Sequence, residues 1–209
     1  LLLTVLKAGQ HVVMTDDTYR RTRQFCEQTL GKFGIETTVV PVGDYDALEA
    51  AVIKGKTKFI ISETPTNPYL RVADLTRIKQ IAKSNRCLTM IDTTFATPIN
   101  LRPLEWGIDF VIHSATKYLG GHNDVLGGVV VGNATRMKAI RDARGVHGNV
   151  VDPQAAFLIE RGIKTLGLRV KQQNHTALQV AKYLENHPKV ERVFYPGLPS
   201  HPDYEVATR

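Results

Sequence analysis

Cysteine is scarce in this chain: Cys26 and Cys87 are the only two among 209 residues. Neither lies in a C-x-x-C spacing or beside a histidine partner pattern, which argues against a disulfide framework and a zinc site. Both read as buried structural thiols of a reducing compartment. No apolar run approaches the length of a membrane span, and Leu1 to Val5 is too short for a signal segment and lacks its flanks, so the chain reads as soluble. Internal repeats and low-complexity segments are absent. There is no G-x-x-x-x-G-K-[ST] loop and no G-x-G-x-x-G after the first strand, which removes the phosphate cradles of two nucleotide-binding folds. A serine hydrolase elbow, G-x-S-x-G, is also missing.

Positive charge is in excess, with a formal net charge of +7. The basic residues are dispersed and not interleaved with exposed aromatics, so nucleic acid is not the expected partner. The one tight cluster, Arg20, Arg21 and Arg23, suits a solvated helix start or a site for a small anionic substrate.

Apolar strands alternate with helical patterns. Strands are expected at His11–Met14, Thr37–Val42, Lys58–Ser62, Leu88–Ile91, Phe110–His113 and Val129–Val131, with Phe110–His113 as the central one, and a last at Val190–Tyr195. Helices are expected at Leu1–Leu6, Tyr19–Leu30, Tyr45–Ile53 behind the N-cap Asp44, Asp74–Arg86 and Met137–Arg144. A long helical pattern from Pro153 to about Asn186 is interrupted near Gly162 and Gly167. The turn cluster Pro196–Pro202 follows. This alternation predicts an α/β fold with a mostly parallel sheet flanked by helices. A domain boundary is expected near His187-Pro188, leaving 1–188 as a large domain and 189–209 as the beginning of a second.

The stretch from Ile112 to Val125 concentrates the chemistry. A short buried strand stops at Ser114, Thr116 and Lys117, and Gly120-Gly121 then lets the chain turn tightly. Two hydroxyls can donate to a phosphate. A lysine amine attacks aldehydes once it is partly deprotonated in a desolvated or cation-flanked pocket. Together they suit a phosphorylated aldehyde such as pyridoxal phosphate (PLP), anchored while the lysine forms a Schiff base. Asp92 closes another strand, where a carboxylate is by default a turn or cap residue; in a PLP site it would keep the pyridine nitrogen protonated. Tyr19 follows the first strand, and its ring could stack on a cofactor while its hydroxyl exchanges protons. Asn67, between Pro65 and Pro68, is a turn former whose amide could hydrogen-bond a ring oxygen. His113 and His122 flank the lysine and read as structural. Ligands of parallel sheets bind beyond the carboxyl ends of the strands, so these residues could meet in one crevice.

In these stretches the chain resembles the Cys/Met-metabolism PLP-dependent enzymes, which include cystathionine γ-synthases, cystathionine lyases and methionine γ-lyases. The matching segments are Asp17-Thr-Tyr19, Glu63-Thr-Pro-Thr-Asn-Pro68, Ile91-Asp-Thr-Thr-Phe-Ala-Thr-Pro98, His113-Ser-Ala-Thr-Lys-Tyr118 with Gly121-His-Asn-Asp-Val125, and Tyr195-Pro-Gly-Leu-Pro-Ser-His-Pro202. The resemblance implies an aspartate aminotransferase-like fold (fold type I). It implies that Lys117 holds PLP and moves protons between substrate carbons, that Asp92 pairs with the pyridinium, and that Ser114 and Thr116 contact the phosphate. Tyr19 would stack on the ring and Asn67 would bond near its hydroxyl. No metal is implied.

Tyr19-Arg-Arg-Thr-Arg23 and Gly120–Val125 look most like plant-type cystathionine γ-synthases. Arg21 stands where methionine γ-lyases tend to carry cysteine, and a guanidinium there could receive the anionic group of a homoserine ester through two hydrogen bonds. The implied reaction is γ-replacement by cysteine to give cystathionine, in transsulfuration and methionine biosynthesis; elimination of the lyase type is the alternative, and a non-catalytic version of the fold the other. The implied assembly is a homo-oligomer, dimer or tetramer, with shared sites. The implied location is the cytoplasm, or the chloroplast stroma in a plant. Family members are longer, with an upstream glycine-containing loop, an N-terminal segment and a C-terminal arginine that have no counterpart here, so the chain looks like the middle of such an enzyme.

Overall fold

The computed structural model describes residues 1–209. In chain order the elements are α1 (Leu2–Val5), β1 (His11–Thr15), α2 (Arg20–Gln24), β2 (Glu36–Val40), α3 (Tyr45–Ala50), β3 (Thr57–Glu63), α4 (Leu75–Ser84), β4 (Leu88–Asp92), α5 (Thr97–Asn100), β5 (Phe110–Ser114), β6 (Gly128–Gly132), α6 (Ala134–His147), α7 (Pro153–Ile163), α8 (Leu166–Glu185) and α9 (Tyr204–Ala207). The six strands form one sheet in the order β2-β1-β3-β4-β5-β6. The first five are parallel, and β6 pairs antiparallel with β5 at the edge.

A parallel sheet needs cover on both faces, and β1 shows why this sequence supplies it. Val12, Val13 and Met14 are all fully buried. Val13 faces a core with Ile60, Ile91, Val111 and the α4 residues Leu75, Ile78, Ile81 and Ala82. Val12 and Met14 face the opposite core, with Leu2, Cys26, Phe59, Phe110 and Ile140. The apolar stripe expected of α4 is therefore the one it buries, and its N-cap Asp74 accepts from the N–H groups of Thr76 and Arg77. Cys26 and Cys87 are free and buried, as expected.

Four local expectations are corrected. The strand Phe110–Ser114 is fifth of six, because β6 closes only one further edge. The helix after Tyr19 tightens and loosens along its length, running through a π-helical turn at Phe25–Thr29 and a 3-10 turn at Leu30–Phe33 before Gly34 ends it at φ 69°. Gly167 lies inside α8; the break falls at Lys164-Thr165. Val190–Tyr195 forms no strand. Its apolar spacing suits one, but the segment pairs with neither sheet edge, β2 or β6, and leads instead into turns held at Asp203. That carboxylate takes both Nε and Nη2 of Arg71, at 2.6 and 3.1 Å, and the Val72 N–H.

Candidate functional site

Parallel strands share one polarity, so the carboxyl ends of β1, β3, β4 and β5 line up along one sheet edge. Tyr19 follows β1, Asn67 follows β3, Asp92 ends β4, and Ser114 and Lys117 end and follow β5. The expected residues are thus brought to one edge by adjacent strands. Backbone and side-chain bonds then sew the loops together. Tyr19 donates its N–H to Glu63 Oε2 at 2.6 Å, Thr66 donates its hydroxyl to Asp17, and Thr64 N–H reaches the Asp92 carbonyl at 2.9 Å.

Asp92 is oriented by a residue that the sequence reading passed over. Its Oδ1 accepts from the Thr94 N–H at 2.9 Å and the Thr94 hydroxyl at 2.6 Å. The same Thr94 oxygen accepts from the Ser114 N–H at 2.8 Å. One threonine therefore fixes the carboxylate on β4 relative to the hydroxyl end of β5. Oδ2 of Asp92 makes no bond within the protein, and neither does the Ser114 hydroxyl.

Lys117 lies on the turn after β5 with its side chain exposed and in no ion pair. The turn itself is rigidly backed. Thr116 Oγ1 accepts from Gly127 N–H at 3.1 Å, and Arg169 of α8 donates to the carbonyls of Tyr118 at 3.0 Å and Gly162 at 2.7 Å. Gly162 on α7 presses on the turn: a Cβ there would lie 2.1 Å from the Gly120 carbonyl oxygen. The obstacle is backbone, which cannot swing aside. Gly162→Ala is expected to destabilise the fold by about 1–3 kcal/mol, measured by urea denaturation, and to displace the Lys117 turn.

The remaining expected residues are placed plainly. Tyr19 is half exposed at 51%. Asn67 is exposed on its turn. Arg21 is exposed, and its Nη1 donates to Gln24 one turn along at 2.8 Å. His113 is buried, with Nε2 3.5 Å from the Thr93 hydroxyl and Nδ1 without a partner. Burial pushes its pKa down and favours the neutral ring, while Asp92 and a bond to the Thr93 backbone oppose that. His122 bonds the Gly120 carbonyl at 2.9 Å within its own turn. Both histidines serve local structure.

Glu63 is the second residue that sequence reading missed. It is 5% exposed and lies in register with Asp92 on the neighbouring strand. Burial raises its pKa to about 7, the Tyr19 N–H opposes that, and Asp92 and Asp17 add to it. The folded chain thus holds this proton more tightly than the unfolded one. The associated stability is fully present below the unfolded value near 4.5 and is lost as pH rises through about 7. Linkage puts the loss at about 3 kcal/mol. Glu63→Gln, an isostere of the protonated acid, is expected to raise stability at pH 8 and leave it nearly unchanged at pH 4, as read by denaturant titration.

A family model described as Cys/Met metabolism PLP-dependent enzyme matches residues 1–209. Over 209 residues the chain is 50% identical to the chloroplastic cystathionine gamma-synthase 1 of Arabidopsis thaliana, covering all of this chain and 37% of that protein. Over 207 residues it is 44% identical to the cystathionine gamma-lyase of Bacillus subtilis (strain 168), covering 99% of this chain and 54% of that one. The crystal structure of a cystathionine gamma-lyase from Lactobacillus plantarum complexed with L-serine superposes with a TM-score of 0.95 at 38% identity, over 99% of this chain and 54% of that chain. The chain spans about half or less of the length of these relatives.

Proposed function

Since the chain belongs to the Cys/Met-metabolism PLP-dependent enzyme family, we propose that it carries the cofactor-binding centre of an enzyme that replaces the γ substituent of a homoserine ester with cysteine, forming cystathionine. The observation that carries this reading is the pairing of an unpartnered amine, Lys117, with an oriented half-free carboxylate, Asp92, at the ends of adjacent parallel strands. The donor set fits PLP. It offers an amine outside any ion pair, a carboxylate with Oδ2 unbonded, a serine hydroxyl without a protein partner and an aromatic ring half open to solvent.

In this reading Lys117 Nζ holds the cofactor, Asp92 Oδ2 takes its pyridine nitrogen, and Ser114 with Thr116 receives its phosphate. The Tyr19 ring would cover the cofactor, and the Asn67 amide would hydrogen-bond it. When bound, PLP supplies an electron sink for the pair left behind when an amino acid loses its α proton. Lys117 Nζ would be the base that takes the α proton and afterwards exchanges protons with the neighbouring carbon as the γ substituent leaves and cysteine replaces it. Thr94 keeps the Asp92 carboxylate aimed, and the Tyr19 hydroxyl supplies a second proton-exchanging group. The Thr116 hydroxyl donates its single O–H to the Gly127 carbonyl at 3.4 Å and accepts from the Gly127 N–H at 3.1 Å, so donating to a phosphate would exchange that long bond for a charge-assisted one.

Arg21 is assigned the anionic group of the ester. Its bond to Gln24 is solvent-exposed and exchanges readily for a charged, two-pronged partner. Arg21→Ala is expected to raise the KM for succinylated or phosphorylated homoserine roughly tenfold or more with a smaller change in kcat. Unchanged kinetics would remove Arg21 from the site.

Elimination of the lyase type is the second reading, favoured by the identity of 44% to a cystathionine gamma-lyase and of 43% to a cystathionine beta-lyase from Lactococcus lactis subsp. cremoris (strain MG1363). Product analysis with and without cysteine separates the two. Replacement yields cystathionine only with cysteine present, and elimination yields a keto acid and ammonia without it. The working form in either reading is a homo-oligomer with shared sites, consistent with the exposed apolar side chains of Val146 in the last turn of α6 and of Val150 and Val151 just before α7. Sedimentation velocity tests that assembly. Residues 189–209 are read as the start of a second domain, and no helix of the chain is long and apolar enough to cross a membrane.

A further inference from the structure

Tyr19 opens a helix without the usual local support. It is the N-cap of α2, yet its side chain makes no capping bond. In a capping box the residue three positions on is Glu or Gln and reaches back to the N-cap N–H. Here that position is Thr22, which cannot do so. The bond is made instead by Glu63, 44 residues away on β3, whose Oε2 accepts from the Tyr19 N–H at 2.6 Å. Thr66, three residues beyond Glu63, donates its hydroxyl to Asp17 on the same loop. The exit of β3 thus grips the Asp17-Thr18-Tyr19 loop at two points.

We propose that Glu63 is a positioning residue for Tyr19: its carboxylate clamps the Tyr19 N–H and so fixes the backbone from which the Tyr19 ring projects after β1. The proposal rests on the reading above only in giving that ring a cofactor to stack on; the clamp itself is a property of this chain. Its neighbours explain why the clamp is costly. The charged groups acting on Glu63 are Asp92 on β4 and Asp17 after β1, both acids; the Arg71 guanidinium faces Asp17 and does not act on Glu63 itself. A buried carboxylate with two acidic neighbours is retained here in spite of that repulsion, where a neutral residue would be more stable at high pH. Its one hydrogen-bonded partner is the Tyr19 N–H. As Glu63 gains its proton near pH 7, the charge-assisted bond becomes a neutral one of roughly half the strength.

Two measurements on the full 209-residue chain test this. The first is the amide-exchange protection factor of Tyr19, read by NMR without cofactor from pH 5 to 8. In the wild type, exchange through local opening of the Tyr19 loop, with Glu63 still buried, should slow as pH passes 7, even though global stability falls over the same range. Glu63→Gln should keep part of the protection and lose that pH step, whereas Glu63→Ala should lower protection roughly tenfold or more at pH 8. A protection factor that Glu63→Gln and Glu63→Ala both leave unchanged overturns the clamp. The Gln variant keeps the test open if the Ala variant does not fold. The second is PLP affinity, read by equilibrium dialysis. If Glu63 acts through the ring, Tyr19→Ala with Glu63→Gln should bind PLP no more weakly than Tyr19→Ala alone. Additive losses overturn positioning through Tyr19. Absence of PLP binding by the wild type would defeat the cofactor reading, and the exchange data would still decide the clamp.

Discussion

Lys117→Ala is expected to abolish the covalent capture of PLP. Borohydride reduction and peptide mapping should label Lys117 in the wild type and nothing in the variant, and turnover by the assembled enzyme should fall by about 10⁴-fold or more. The expectation follows from position. Lys117 stands on a turn backed by Arg169 and Gly162, with an amine that no acid neutralises. On the proposed reading its loss would remove both the attachment and the proton carrier, and no neighbouring lysine shares that turn. Lys117→Arg sharpens the result. It preserves the positive charge but cannot be deprotonated in a protein, so it should be as inactive as the alanine variant. Substantial activity in Lys117→Arg would mean that the charge matters and the nucleophile lies elsewhere. Retained borohydride labelling in Lys117→Ala would locate that nucleophile directly.

The second large effect is expected at Asp92. Asp92→Asn should lower kcat by about 10²–10³-fold while leaving the fold and most of the PLP affinity in place. The fold survives because the Asn side-chain oxygen can still accept from the Thr94 N–H and hydroxyl that hold Oδ1. What changes is the other end: an amide carries no charge to keep a pyridine nitrogen protonated, so the electron sink weakens just where negative charge develops. Thr94→Val tests the support separately. It deletes the hydroxyl that bonds both Asp92 and Ser114, and it should cost less than Asp92→Asn because the charge remains. A kcat in Asp92→Asn within a few-fold of the wild type would show that the carboxylate is a loop residue and nothing more.

Much of the site could be read along the chain. Each apolar run was followed by a residue with chemistry to offer: Tyr19 after Met14, Asn67 after Ser62, Asp92 after Ile91, Lys117 after His113. In a parallel sheet those positions share the carboxyl end whatever the strand order; that the strands bearing them, β1, β3, β4 and β5, are successive neighbours came only from the structure. Capping was equally legible: Asp44 and Asp74 accept the bonds expected of them. Residues whose roles depend on a distant partner were not. Glu63 looked like the first residue of the turn after a strand, Thr94 like a turn residue, and Gly162 like a helix interruption. Their contacts run to Tyr19, Ser114 and Gly120, and hydrophobic period carries no signal for such pairs.

The sequence by itself determined the α/β class, the burial of both sheet faces and the set of residues from which a PLP centre could be assembled, because local propensity and apolar spacing act over a few neighbouring positions. Only the tertiary structure decided that β5 stands beside an antiparallel edge strand, that Val190–Tyr195 pairs with nothing, and that Glu63 grips Tyr19. Those outcomes depend on which strands become neighbours and which edges remain free. That choice is made by packing the whole chain at once.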